Sequence, residues 1–343
     1  MMGRVRRNTA EERNLRLSNW IGVVAAAGSL AVGPRLADQR PAFRSGVDLV
    51  SVNVTVTDRN GDFVTALDAD DFEVFEDGTK QAITFFIPGG QRRLDDPDNP
   101  TELHLGVLLD ISGSMEAHIR QEKDAAVKFL TTLDGADDIT LVDFDTEVRI
   151  TRFGPLDFPR LVERIRNRRP EGWTALYDAL GVYLDNASYE QGRKILVLYT
   201  DGDDTRSEIS FSDVCELLRA SDVTVYTIGF FEYVSSSHRA TSQVELKEIA
   251  EITGGQFFDP TSKKDLESSY EKVKAEIDAQ YAIGYVSSNP RTDGAWRKVE
   301  VKVVGENRRD LRLRSRKGYF APYRPGGDAG SAVPASVRID PRR

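Results

Sequence analysis

The feature that most constrains this chain is a rhythm between residues 102 and 279. Short runs that are apolar at nearly every position alternate there with segments whose apolar residues recur every three or four positions. Residues 103–109, 195–199 and 223–228 are runs of the first kind, as strands buried on both faces require. Ile119, Ala126, Val127, Leu130 and Leu133 mark one stripe of the second kind, the core-facing side of a helix. Further helices are expected near 161–165, 174–186, 214–218, 244–252 and 266–277, with a hairpin over 139–151 and a short strand at 256–258. Strands that alternate with helices imply an open, mostly parallel α/β sheet, doubly wound and Rossmann-like, with helices on its faces.

The flanks have a different period. Val50, Val52, Val54 and Val56 alternate with polar residues, as do Val299, Val301 and Val303, and Leu311 and Leu313. That is the pattern of half-buried strands. Asn60-Gly61 and Asp77-Gly78 are hairpin-turn signals. Each flank is too short to form a stable sandwich alone. The expected solution is a small β-sandwich made by both flanks, with the α/β domain inserted between them. The resulting division is a leader or anchor at 1–38, a first half-sandwich at 39–95, the α/β domain at 96–279, a second half-sandwich at 280–323, and a disordered tail at 324–343.

The chemistry is concentrated where strands give way to helices. Asp110-Ile111-Ser112-Gly113-Ser114 stands at the end of the first buried strand. Thr174 opens a helical segment, and Asp201, in Thr200-Asp201-Gly202, ends the strand at 195–199. In open α/β sheets this is the edge at which ligands bind. Asp110, Ser112, Ser114, Thr174 and Asp201 together offer three hydroxyls and two carboxylates. All are hard oxygen donors, suited to Mg²⁺, with Mn²⁺ or Ca²⁺ as alternatives, and unsuited to zinc. Neutral hydroxyls leave the ion much of its positive charge, so an open coordination position would attract an anionic group.

Asp110-x-Ser112-x-Ser114, with Thr174 and Asp201 downstream, resembles the metal-ion-dependent adhesion site of von Willebrand factor type A (VWA) domains, known also from integrin I domains. The resemblance extends to the strand and helix order of residues 102–279. It implies that all five residues serve one divalent cation, the hydroxyls and carboxylates binding directly or through water. The flanks, in Asp71-Phe72-Glu73-Val74, Tyr281-Ala282-Ile283-Gly284-Tyr285 and Lys317-Gly318-Tyr319-Phe320, are similar to a subfamily of exported bacterial VWA proteins common in Acidobacteria.

These readings point to a non-enzymatic binding module whose cation captures an Asp or Glu carboxylate of a protein partner. The alternatives are an assembly subunit with a vestigial metal site and a metal-dependent hydrolase. The net charge of −9 argues against nucleic acid as partner. Only three histidines are present, too few to favour a His-based triad or a His-rich centre. The single cysteine, Cys215, excludes an internal disulfide and sits in an apolar rhythm as a buried small residue. Five arginines before residue 17 and an apolar stretch over 20–33 suggest an export signal or an uncleaved membrane anchor, hence an extracytoplasmic protein, periplasmic or secreted. Asp68, Asp70 and Asp71 fail the EF-hand pattern and read as a solvated loop. Asp143 and Asp145 read as solvent-facing turn carboxylates, and Asp203 and Asp204 as a surface loop that adds negative field. Trp173 fits equally a rim aromatic or a ring packed under its loop.

Overall fold

The computed structural model describes residues 49–90, 102–132, 136–232, 234–305, 308 and 310–323. The expected leader and tail lie outside these residues. The central sheet is built from β5 (Leu103–Asp110), β6 (Asp138–Phe144), β7 (Val148–Phe153), β8 (Arg193–Thr200), β9 (Thr224–Gly229) and β10 (Phe257–Phe258), in the order β10-β9-β8-β5-β6-β7. Every neighbouring pair is parallel except β6–β7, the expected hairpin.

Strand alternation divides the core in two. Leu105, Val107, Leu109, Val197 and Tyr199 face α1 (Ile119–Thr132), α2 (Phe158–Asn167) and α6 (Lys263–Ala279). Leu108, Leu196, Leu198 and Val225 face α3 (Leu176–Ala187), α4 (Phe211–Ala220) and α5 (Ser236–Thr253). All eight residues of β5 are buried, and the strand is apolar on both faces except at His104, which bonds to Asp138 at 2.6 Å, and at the terminal Asp110. Each such Leu, Ile or Val contributes roughly 1.5–3 kcal/mol by leaving water. From β5 the chain winds to β6 and β7 on one side, then crosses to β8 on the other. The reversal opens a crevice at the C-terminal ends of β5 and β8.

The flanking strands are β1 (Leu49–Thr57), β2 (Phe72–Glu76), β3 (Thr79–Gln81) and β4 (Ile83–Ile87) before the α/β domain. After it come β11 (Tyr281–Val286), β12 (Trp296–Val303), β13 (Arg312–Ser315) and β14 (Gly318–Phe320). They form two four-stranded antiparallel sheets, β13-β1-β11-β4 and β14-β12-β2-β3, each drawing strands from both flanks. Val50, Val52, Val54 and Val56 point into a shared core with Val74, Ile283, Val299 and Val301. The β2–β3 turn uses Asp77-Gly78 with φ of 47° and 83°, the left-handed conformations such a tight hairpin requires. Chain entry to and exit from the α/β domain lie side by side. β4 pairs with β11, and the Gly90 N–H donates to the Asp278 carbonyl at 2.7 Å.

Side chains fasten the α/β domain to the sandwich. Thr55 donates to Glu276 at 3.0 Å, and Arg314 pairs with the same carboxylate while donating to the Gly254 carbonyl and Gln256 Oε1, each at 3.0 Å. Gly254 closes α5 at φ 81°, where a Cβ would stand 2.7 Å from the Ser315 backbone, so glycine is needed both for the turn and for the close approach.

Candidate metal centre

The ladder registers set the carboxylates side by side. Leu109 is opposite Tyr199 in the β5–β8 pairing, so Asp110 and Asp201 emerge from neighbouring strands at the same edge. Thr200, between Tyr199 and Asp201, donates its hydroxyl to Asp110 Oδ2 at 2.5 Å. The Ser112 N–H donates to Asp110 Oδ1 at 2.9 Å, and the Ser112 and Ser114 hydroxyls share a hydrogen bond of 3.0 Å. Asp110, Ser112, Thr174 and Asp201 are buried, whereas Ser114 is exposed at the mouth.

Backbone hydrogen bonds tie the loops into one assembly. Ile111 donates to the Phe144 carbonyl, Gly113 to that of Gly172, Glu171 to that of Ile111, and Ala175 to that of Asp145. Thr205 and Arg206 both donate to the Thr174 carbonyl, and the Thr205 hydroxyl accepts from the Thr174 N–H at 3.0 Å. Gly172 has φ +74°, and a Cβ there would lie 2.4 Å from the Thr146 hydroxyl, which instead accepts from the Trp173 N–H at 2.9 Å. α3 begins at Leu176, so Thr174 stands just before the helix. The Trp173 ring, 65% exposed, stands on the rim beside Thr174, which decides between its two readings.

The electrostatics favour a cation. Burial, and then the Asp201 charge, push the Asp110 carboxyl up to about 7, against hydrogen bonds from Ser112 and Thr200. Asp201 is also raised, by burial first, although Ser114 hydrogen-bonds its charged form. Among the described residues no Lys, Arg or His forms an ion pair with either carboxylate, and no group of three or more His, Cys, Asp or Glu is placed to hold a metal. The donor set is therefore two carboxylates completed by hydroxyls, which fits one hard divalent ion rather than zinc.

Neighbouring acidic residues have other work. Asp143 and Asp145, expected in solvent, are 0% and 3% exposed. Asp143 pairs with Arg164 and Arg168, both at 2.8 Å, and Asp145 with Arg149 at 3.1 Å. The expectation fails because these arginines, most of them distant in sequence, cover the strand end. Asp204 accepts from the Leu176 N–H at 2.8 Å and so caps α3, while the exposed Asp203 pairs with His238 at 3.1 Å. Asp71 pairs with Arg308 at 2.5 Å. Cys215 is 4% exposed, and burial raises its thiol to about 11, the state of an inert core residue. Sequence reasoning missed two groups that act on the candidate carboxylates, Thr200 by a hydrogen bond to Asp110 and Glu122 through its charge. Glu122, in the first turn of α1, is wholly buried and held far above the usual carboxylate range by burial and by the charges of Asp110 and Asp201.

Comparison with known proteins identifies the α/β domain. The profile of the von Willebrand factor type A domain matches residues 104–272. The uncharacterized protein YwmC of Bacillus subtilis is 24% identical over 192 residues, covering 49% of this chain and 81% of that protein. Among solved structures, a von Willebrand factor type A protein from Catenulispora acidiphila is similar at a TM-score of 0.44 and 14% identity, over 83% of this chain and 76% of that one. The PilB minor pilin from Streptococcus sanguinis is similar at a TM-score of 0.42 and 16% identity, over 55% of this chain and 64% of that one. Profile match and strand order together identify residues 104–272 as a von Willebrand factor type A domain.

Proposed function

We propose that the domain binds a protein partner through one divalent cation, Mg²⁺ in the first instance, held by Asp110, Ser112, Ser114, Thr174 and Asp201. The observation that carries this is the pair of buried, adjacent carboxylates with hydroxyls around them and no protein cation beside them among the described residues. Two such charges are costly to bury unless something positive joins them. When bound, the cation supplies a Lewis-acidic position open to one more oxygen ligand. An Asp or Glu of a partner suits that position, because three of the five donors are neutral.

The protein's own part is to hold the donors still. Thr174 is fixed through its backbone by Thr205 and Arg206, and Ser112 by its N–H bond to Asp110. Trp173 offers an exposed ring for apolar contact next to the captured carboxylate. No general base is assigned, and the reading is of a binding module rather than an enzyme. The basic-then-apolar start of the sequence supports a site of action outside the cytoplasm. Recovery of full-length protein only from cytosol would reject that part. Among the described residues no helix is long and apolar enough to cross a membrane.

Two measurements test the metal reading. Calorimetry should show Mg²⁺ binding to the wild type and its loss in Asp201→Ala. Pull-down from an envelope fraction should yield a partner that chelator or Thr174→Ala releases, with the fold kept by circular dichroism. Equal Mg²⁺ affinity in wild type and Asp201→Ala would reject the site, and partner capture indifferent to chelator would move the interface elsewhere.

A further inference from the structure

Glu122 lies eight residues beyond Ser114, in the first turn of α1. Its side chain is 0% exposed, and among the described residues neither carboxylate oxygen has a hydrogen-bond partner. A charged carboxylate in that condition is strongly unfavourable unless a proton, a hydrogen-bond donor or a cation joins it. The groups that act on it electrostatically are Asp110, Asp201 and Lys123. The Lys123 ammonium is engaged elsewhere, donating to the carbonyls of Arg166 and Arg168. Deeper in the core, the Tyr199 and Tyr270 hydroxyls both feel the Glu122 charge and have no partner beyond each other. Glu122 is thus a wholly buried, unpartnered acid on the helix that follows the Asp110–Ser114 loop, and it feels the charge of both candidate ligand carboxylates.

We propose that Glu122, outside the set of direct ligands, is a positioning residue of the cation centre that acts on it from the protein interior through a shared water molecule. The inference rests on the metal reading given above. A water held by Glu122 would give its orphaned oxygens a donor, and the ion that orients that water would offset its charge. Outer carboxylates of this kind raise metal affinity by strengthening and orienting the inner shell. The charge also tempers the centre's pull on a second carboxylate, so what Glu122 serves is retention of the ion.

The test is calorimetric titration of the full chain with Mg²⁺ at neutral pH, in wild type, Glu122→Gln and Glu122→Leu. Both variants should bind Mg²⁺ at least about tenfold more weakly than wild type. Their melting temperatures in chelator should be no lower than the wild type's, because an unpartnered buried acid has gone. A purely structural role would lower those melting temperatures and leave the affinity of the folded protein unchanged, and that result overturns the proposal. So does a loss of affinity confined to Glu122→Gln. A wild type that binds no Mg²⁺ removes this proposal together with the metal reading, whereas wild-type binding with equal affinity in both variants removes this one alone.

Discussion

Raising the pH of the metal-free protein should cost it stability, and Asp110 is a principal reason. Its carboxyl ordinarily titrates near 3.8, but in the fold burial and the Asp201 charge push it up to about 7. Between those values the native state holds a proton that the unfolded chain has released. The unfolded state therefore gains relative stability as pH rises, by about 1.4 kcal/mol for each pH unit of the window. The contribution is fully present below 3.8 and is lost as pH climbs through about 7. Going from about pH 5 to about pH 7 should remove roughly 2–3 kcal/mol, or roughly 5–10 °C of melting temperature for a domain of this size. Asp201 shares the repulsion, so the pair titrates together and the figure belongs to both. Asp110→Asn fixes the position in its neutral form. Melts in chelator across this window should show the wild type falling by that margin more than Asp110→Asn. Mg²⁺ at about a hundredfold over its dissociation constant should return about 2.7 kcal/mol to the wild type above pH 7 and little to the variant. Parallel pH curves for the two proteins in chelator would refute the reasoning.

Two further outcomes follow from the geometry. Asp143→Ala removes the buried partner of Arg164 and Arg168 and should destabilise the fold by about 3–5 kcal/mol in urea titration, with Mg²⁺ affinity of the surviving native protein largely kept. Trp173→Ala should leave Mg²⁺ binding unchanged in calorimetry yet weaken partner capture by about 2 kcal/mol or more in surface plasmon resonance, because the proposed role of this exposed ring is apolar contact with the partner rather than with the ion.

Local pattern carried the core of the fold. A strand buried on both faces is apolar at nearly every position, so the run from Leu103 to Leu109, broken only by His104, and the Asp110 that ends it were readable without neighbours. The five candidate ligands were readable for a similar reason: each is a polar residue at or just beyond a strand end or just ahead of a helix. What escaped was set by partners far along the chain. Asp143 reads as solvated until Arg164 and Arg168, 21 and 25 residues later, fold over it. Glu122 was closer to detection. It falls three residues after Ile119 and four before Ala126, on the apolar stripe of α1, where a carboxylate is out of place unless something inside the protein needs it. Thr200 gave only the weak signal of preceding Asp201, and its bond to Asp110 depends on the register of two strands separated by nearly ninety residues.

The side-by-side entry and exit of the α/β domain determine how a pull on it would be carried. β4 and β11 both meet the domain at the same end, joined there by the Gly90–Asp278 hydrogen bond. A tension that draws the domain away from the sandwich moves these two strands in the same direction, so their mutual ladder bears little load. The resistance falls instead on β1 against β11, where six residue pairs from Leu49–Val286 to Val54–Tyr281 lie across the line of force. Antiparallel hydrogen bonds run perpendicular to the strands, so the pull loads them together in shear rather than peeling them one by one. The neck thus resists as one unit, while the same strands pulled apart sideways would open bond by bond.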